Sequence, residues 1–433
     1  MSYGRTDFVK ELEDFTQFQF TNNNIVPQFP ADIAKLREQD LVPEYCPNRK
    51  DFTEENAFTI DGDCKDMDDA VSIEKKTNGY RLAVHIADVA GYVSVGSELD
   101  KIASYRATSI YLPHLTVPML PSILSNDLCS LNPGVKRNTL SVIMQLNEKG
   151  EVLHAEITKG VIRSRVKGVY SEINKLLSGF KDDYLMTKYS EVYQDLFVMA
   201  SLYRILRAER IKRGATIEDS NKPKITVSKH GVTLTPTKEG VAENLIEEFM
   251  ILANRVVAEH IVNHTHLPAI WRTQKVRNHM ASYQPVRMHH AELALENYCH
   301  YTAPIRRIAD LKTAQILTMN INGVSNQEIH ALFDEQLTDI CERATKRSRT
   351  ARQVQEQCER FCYRQYFRTH LNSYTGTIVD FDSRQRPILR LNRYNIKVIG
   401  NAIRNGKLGD SYSFMINVSD VKNTLFAYRP QLL

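Results

Sequence analysis

What the 433-residue chain lacks narrows it first. Its seven cysteines (Cys46, Cys64, Cys129, Cys299, Cys341, Cys358 and Cys362) are odd in number, scattered and never spaced as CxxC. That pattern excludes a disulfide framework and a zinc ribbon as the organising device. No apolar run is long enough to span a bilayer. The start, MSYGRTDFVKELEDF, has acidic residues where a signal peptide would carry an apolar stretch. The expectation is a soluble protein of a reducing, cytoplasmic compartment with no membrane partner. No internal repeat or low-complexity tract stands out. Neither charge dominates: 56 Lys and Arg stand against 51 Asp and Glu, a net charge of +5. This mildly favours a polyanionic partner without identifying one.

What is present is ample material for a core, 42% hydrophobic, in a chain long enough for two or three domains. Residues 1–50 read as a short, polar, helical N-terminal leader ending in the turn-rich connector VPEYCPNRKDF. From 51 to 372 the pattern is α+β. YRLAVHIADVAGYVSV and LSVIMQLNEKGEVLHAEITKGVIRS alternate and are β-branched, as strands are. ENLIEEFMILANRVVAEHIVNH and IRRIADLKTAQILTM carry apolar residues at helical spacing, and 325–371 reads as a long charged helix. From 373 to 433, short strands punctuated by Gly and Asn predict a small, separable OB- or S1-like barrel.

One stretch concentrates charge where the chain is about to fold. TIDGDCKDMDDA holds Asp61, Asp63, Asp66, Asp68 and Asp69. Acidic runs are usually solvated loops, but here the strand-like VSIE follows at once. Crowded carboxylates beside a core repel one another, and desolvation adds to the cost. A divalent cation removes that penalty, and hard oxygen donors suit Mg²⁺ or Mn²⁺. The EF-hand alternative fails because its D-x-[DN]-x-[DN]-G loop with a closing Glu is missing. Mg²⁺ held by few carboxylates keeps positions for water and phosphate, which points to phosphoryl chemistry. Such a site also needs cations from the protein. YCHYTAPIRRIADL supplies Arg306 and Arg307, expected in the first turn of a helix opened by Pro304. An isolated Arg pair is more often a solvated helix face. Its pairing with the aspartate cluster shifts the balance.

TIDGDCKDMDDAVSIE, RLAVHIADVAGYV, LDKIASYRATSIYLPHLTVPMLPSILSNDLCSLNP, ENLIEEFMILAN and YCHYTAPIRRIADL resemble, in order and spacing, the RNB catalytic domain of the ribonuclease II and ribonuclease R family. The resemblance covers roughly residues 50–370. It implies a mixed sheet surrounded by helices with a deep RNA channel. It also implies a hydrolytic 3′→5′ exoribonuclease releasing nucleoside 5′-monophosphates, with a two-ion Mg²⁺ site (Mn²⁺ possible). By motif matching, Asp61, Asp66 and Asp69 are the expected metal ligands, and Asp68 an essential catalytic residue. Four residues separate Asp61 from Asp66 where the family usually has five, so Asp63 stays open as the first ligand. Arg306 matches the arginine at the scissile phosphate, and Arg307 its outer neighbour in substrate binding. Glu248 matches the acid near the terminal ribose, with Glu247 the less favoured choice. Tyr111 matches the aromatic against which the 3′-terminal bases pack, and Tyr170 the tyrosine that restrains the terminal nucleotide. A second base-clamping aromatic would fall near IEDSNKPK, which holds none.

The family's large members carry two cold-shock domains before the catalytic domain, and some fifty residues do not hold even one. The expectation is a short form that relies on its barrel for RNA outside the channel. Exposed aromatics on a basic groove would do this: Tyr394, Tyr412 and Phe414 with Arg384, Arg386, Arg390, Arg393 and Lys397. Arg360, Arg364 and Arg368 form one helical stripe, a phosphate track or a solvated face. The expected partners are single-stranded RNA 3′ ends, with tRNA precursors as a possible substrate, and the protein is expected to be a monomer. The alternatives are a dedicated 3′ trimmer of structured RNA and a catalytically decayed RNA-binding relative.

Overall fold

The structure is a computed structural model describing residues 7–62, 64–180, 182–217, 222–277, 279–419 and 424–433. Asp63 and residues 218–221 of the IEDSNKPK tract lie outside the described residues.

A five-stranded sheet forms the centre. Its order is Lys50–Asp51, Val152–Arg163, Lys136–Asn147, Gly79–Ala87 and Asp69–Lys76. All pairs are antiparallel except that of the short edge strand Lys50–Asp51. The inner strand Gly79–Ala87, paired on both sides, is buried almost throughout, so its sequence, YRLAVHIA, is largely apolar. Gly79 has φ +148°, and a Cβ there would meet the Leu146 carbonyl at 1.9 Å, so only glycine starts this strand. Helices Tyr193–Lys212, Val241–His260 and Ile308–Ile321 contribute to the same core. The last of these is buried along most of its length, and its Lys312 is neutralised by two 2.7 Å bonds to Asp100.

Helix Asn326–Thr369 runs 44 residues from a Ser325–Glu328 capping box. It leads into a closed barrel of five strands, ordered Ser373–Phe381, Pro387–Leu391, Lys397–Ile399, Thr424–Leu432 and Ser411–Ser419. Sequence reading anticipates the barrel but not its attachment. One apolar cluster joins barrel residues to Phe361, Cys362, Tyr366 and Phe367 of the long helix, to Val232 and Leu234 of the hairpin 224–235, and to Phe8 and Leu12. The barrel therefore shares an apolar cluster with the rest of the chain. The polar leader contains helix Phe8–Asn22, whose buried face (Phe8, Leu12, Thr16, Phe20) spans two clusters. Phe8 and Phe15 stack on Phe361, with centroids 5.8 and 4.5 Å apart. Phe20 packs with Ile110, Leu112 and Val117, around Tyr111.

The proposed stacking aromatics of the barrel are corrected outright. Tyr394, Tyr412 and Phe414 are 4%, 9% and 1% exposed and form the barrel core. Strand alternation puts Tyr412 and Phe414 inside, a phase that a short strand does not reveal alone, and Tyr394 is buried from the turn that follows Leu391. The large aromatic exposed on the barrel is Tyr428, with the Arg429 guanidinium 5.1 Å from its ring centre. In the helical stripe, Arg364 lies over the Phe361 ring at 4.3 Å, so the stripe is not a uniform phosphate track. No helix among the described residues is long and apolar enough to cross a membrane.

Candidate active site

The short strand Thr59–Asp61 pairs in parallel with Lys167–Val169, Ile60 opposite Gly168. A Cβ at Gly168 would fall 2.6 Å from the Thr59 carbonyl and 2.9 Å from Ile173 Cδ1. Glycine thus permits an approach that sets Tyr170, first residue of helix Tyr170–Leu177, near Asp61. After Asp61 the chain loops out and returns. The Asp61 carboxylate accepts from Gly62 N at 2.6 Å and from the Cys64 thiol at 2.9 Å. Lys167 Nζ donates to the Cys64 carbonyl at 2.5 Å. Ser130 fastens the far side, donating to the Lys65 carbonyl at 2.8 Å and accepting from Met67 N at 3.1 Å. Met67 is 2% exposed and anchors the loop in the core.

Asp68 follows, also 2% exposed. Its Oδ1 accepts from Ile305 N at 2.7 Å and its Oδ2 from Arg306 Nε at 3.1 Å. The two motifs, 238 positions apart, therefore meet through this side chain. Asp69 opens strand Asp69–Lys76. On the other side, segment 107–111 is laid against the arginine turn: Ser109 N donates to the Arg306 carbonyl at 3.0 Å and Ile308 N to the Ala107 carbonyl at 2.9 Å. That segment delivers Tyr111, whose hydroxyl donates to Asp66 Oδ2. The sequence assigns Tyr111 to base packing, and its ring is partly buried; its hydroxyl belongs to the carboxylate cluster.

The arginine turn differs from expectation. Helix Ile308–Ile321 begins after both arginines, and Arg307 is its N-cap with extended backbone (φ −138°, ψ 128°). The two side chains consequently diverge. Arg306 is 45% exposed although protein lies on nearly every side of it, as in a group lining a recess. Arg307 is 26% exposed and donates to Asp310 Oδ1 at 2.7 Å.

The electrostatics are those of a site short of positive charge. Burial, with Asp69 and Asp66 adding, pushes Asp68 up to about 8 against the pull of Arg306. Burial and Asp61 push Asp69 up to about 7. Arg306 stays charged, held so by Asp68 despite its own desolvation. Asp68 rises in spite of this partner because burial and two like charges outweigh one guanidinium. Burial, then Asp66, raises the Tyr111 phenol; burial, then Asp61 and Asp69, raises that of Tyr170. Both remain protonated donors. Burial and Asp61 raise the Cys64 thiol, so it is no nucleophile.

Glu248 does not join this group. It is 2% exposed and held by Arg210 through bonds of 3.0, 3.0 and 2.6 Å. It is the acidic half of a buried ion pair, because one step along a helix turns a side chain by about 100°. Glu247 is 46% exposed. With Glu243, one turn before it, Glu247 lines a cavity of about 360 Å³. Glu243 also lies close enough to Tyr170 to act on it, so on this helix Glu243 and Glu247 border that cavity together. Two residues that hold the site were missed: Ser130, in DLCSLNP, and Asp310, in IRRIADL. Both lie inside quoted motifs, but no spacing rule distinguishes them there.

Among the described residues, no three His, Cys, Asp or Glu side chains stand ready to grip one ion together. The donor chemistry nonetheless fits a hard cation. Asp61, Asp66 and Asp69 offer only oxygen, and the upward shifts of Asp68 and Asp69 come from burial first and neighbouring carboxylates second, both of which a cation would offset.

The family profile described as RNB domain matches residues 49–282 and 278–323. Ribonuclease R 1 of Lactococcus lactis subsp. lactis is 30% identical over 474 residues, covering 95% of this chain and 55% of the relative. Ribonuclease R of Thermotoga maritima is 34% identical over 421 residues, covering 81% and 58%. The chain thus spans little more than half the length of these curated relatives. Among solved structures, apo RNase R of Mycoplasma genitalium superposes with TM-score 0.81 at 21% identity, covering 98% of this chain and 78% of that one. Yeast Ssd1, a pseudonuclease, superposes at 0.70 with 18% identity, covering 93% and 58%. At such identities the likeness is one of fold. Because a pseudonuclease shares that fold, chemistry must be argued from the site.

Proposed function

We propose that this chain, which belongs to the RNB domain family, is a hydrolytic 3′→5′ exoribonuclease that removes nucleoside 5′-monophosphates from single-stranded RNA ends. The observation that carries the reading is the Asp68–Arg306 contact within a crowd of under-neutralised carboxylates. Arg306 meets Asp68 through Nε, which leaves its two terminal nitrogens outside that bond. A planar guanidinium so presented suits two oxygens of a phosphodiester. Being held in place beforehand, it stabilises charge that grows as the reaction proceeds. Water adds to phosphorus, the P–O3′ bond breaks, and the departing O3′ takes up a proton. Asp61, Asp66 and Asp69 would hold magnesium, which when bound supplies the charge to activate water and stabilise the leaving oxygen. Tyr111 and Tyr170, uncharged and partly buried, border the cluster where a terminal nucleotide would sit.

RNase R of Mycoplasma genitalium has been solved with ribose-methylated single-stranded RNA and with double-stranded RNA. For this chain, single-stranded 3′ ends are the proposed substrate, tRNA precursors a narrower one, and a monomer the proposed working form. Seven free cysteines, five of them buried, suit a reducing, cytoplasmic setting.

The test is purified protein with 5′-labelled single-stranded RNA, first with Mg²⁺ and then with EDTA. A ladder shortening from the 3′ end only with Mg²⁺ is expected. Binding without shortening would make this a pseudonuclease instead. A tRNA precursor run in parallel distinguishes a general degrader from a trimmer.

A further inference from the structure

We propose that Asp310 is a positioning residue for Arg306: it holds the turn 303–307 so that Arg306, and not its neighbour, meets the RNA phosphate. The proposal rests on the exoribonuclease reading above. Two buried aspartates grip this turn from opposite sides. From the loop side, Asp68 takes Ile305 N at 2.7 Å and Arg306 Nε at 3.1 Å. From the helix side, Asp310 Oδ1 takes Ala303 N at 2.8 Å and Arg307 Nη2 at 2.7 Å. Asp310 is wholly buried.

A buried carboxylate is costly, and an apolar residue of similar size is often more stable in its place. A carboxylate here achieves something an apolar residue would not. It neutralises Arg307, whose charge would otherwise stand beside that of Arg306 and compete for the same phosphate. It also fixes the start of the turn through Ala303 N. The Arg306 carbonyl is taken by Ser109 N at 3.0 Å and Thr108 Oγ1 at 3.2 Å. With both ends and the middle held, the backbone that carries Arg306 is fixed, and Asp68 holds its Nε. Asp310 bonds Ala303 N and the Arg307 side chain, so it acts through the turn.

The experiment compares Asp310→Asn with the wild type in single-turnover hydrolysis of a 5′-labelled single-stranded RNA with Mg²⁺. RNA affinity is measured separately in EDTA. The asparagine still accepts from Ala303 N but no longer neutralises Arg307. The rate constant should fall by about 10- to 100-fold, with affinity changed by no more than about twofold. The decisive comparison repeats the substitution in an Arg306→Ala background. A residue that acts only through Arg306 has little left to do there, so the added loss should be under about threefold. The same factor in both backgrounds overturns the proposal and makes Asp310 a general support of the fold. So does a wild-type rate for Asp310→Asn. If that variant does not fold, Arg307→Gln with Asp310→Asn removes both charges and enters the same cycle. Loss of rate and affinity together in that pair also overturns it. A wild-type protein that leaves the RNA intact would remove the exoribonuclease reading itself, whereas equal factors remove only the role of Asp310.

Discussion

Asp68 receives a backbone amide on one oxygen and a guanidinium on the other, and this predicts how its loss should look. Asp68→Asn keeps the shape and the bond from Ile305, but its amide group cannot accept from Arg306 Nε. Hydrolysis of single-stranded RNA should be abolished while affinity in EDTA stays near that of the wild type, because phosphate contacts elsewhere supply most of it. Near-normal turnover would remove Asp68 from the chemistry. Arg306→Ala should raise the barrier by about 2–4 kcal/mol, the scale of one preorganised donor. The loss should fall on the rate constant, and Arg306→Lys should restore little because an ammonium lacks the planar fork. A third residue sets an acid limit. His85 is fully buried between Ser141 and Ser72, and burial holds it down at about 4. Its folded value lies below the unfolded one, so its contribution is present above about pH 6.5 and is lost as pH falls toward 4. Unfolding by denaturant at pH 7 and pH 4.5 should differ by about 2–3 kcal/mol from this residue, and His85→Gln should reduce the difference. An unchanged difference would place the acid sensitivity elsewhere. At this scale the sequence speaks best where chemistry forces an odd pattern. Five aspartates against a strand have few explanations, so Asp68, Asp69 and Arg306 are legible. The pairing of Glu248 with Arg210 is not legible, because EE on a helix says nothing about which glutamate meets an arginine of a neighbouring helix.

Helix Phe8–Asn22 is legible as a helix but not as a strut. Its aromatics repeat at spacings that could face any apolar surface, and their partners Phe361 and Ile110 lie hundreds and about a hundred positions away. The strut grips at both ends: Phe8 and Leu12 in the barrel's cluster, Phe20 against the segment that carries Tyr111. Phe20→Ala should cost about 3–5 kcal/mol in denaturant unfolding, the usual range for a buried phenylalanine. A loss under about 1 kcal/mol would mean that the Tyr111 segment is held without it. The arginine turn teaches the same lesson on a smaller scale. Pro304 suggests a helix start, yet the chain makes one turn, extends at Arg307 and only then enters the helix, because Asp68 and Asp310 hold the turn from outside it.

For the whole molecule, the sheet, the long helix and the barrel follow from period and punctuation. The joint between barrel and body does not, because it is made by residues from four separate stretches of chain. Removing residues 373–433 would uncover Phe361, Phe367 and Leu12, so truncation would confound RNA binding with folding. Substitution is the cleaner probe. Arg390 and Lys397 are exposed side by side on neighbouring strands, and Arg393 is exposed at the turn between them. Replacing all three with Gln should flatten the log-affinity against log-salt slope for a long single-stranded RNA by about 2, at roughly 0.7 per lost phosphate contact. Equal slopes would show that this face of the barrel does not touch RNA.

The stacking of Phe8 on Phe361 also sets an order of events at the ribosome. At about 5–20 residues per second, the partner of Phe8 is made on the order of half a minute after Phe8 itself. Phe20 can meet Ile110, Leu112 and Val117 early in that interval, but the Phe8 end of the first helix waits for its aromatic partner. The central sheet can form while translation continues, but the last seam closes only when the far end of the long helix is free of the exit tunnel. A nascent chain stalled before Phe361 would therefore present this helix to a chaperone or a protease, and one released after it would not.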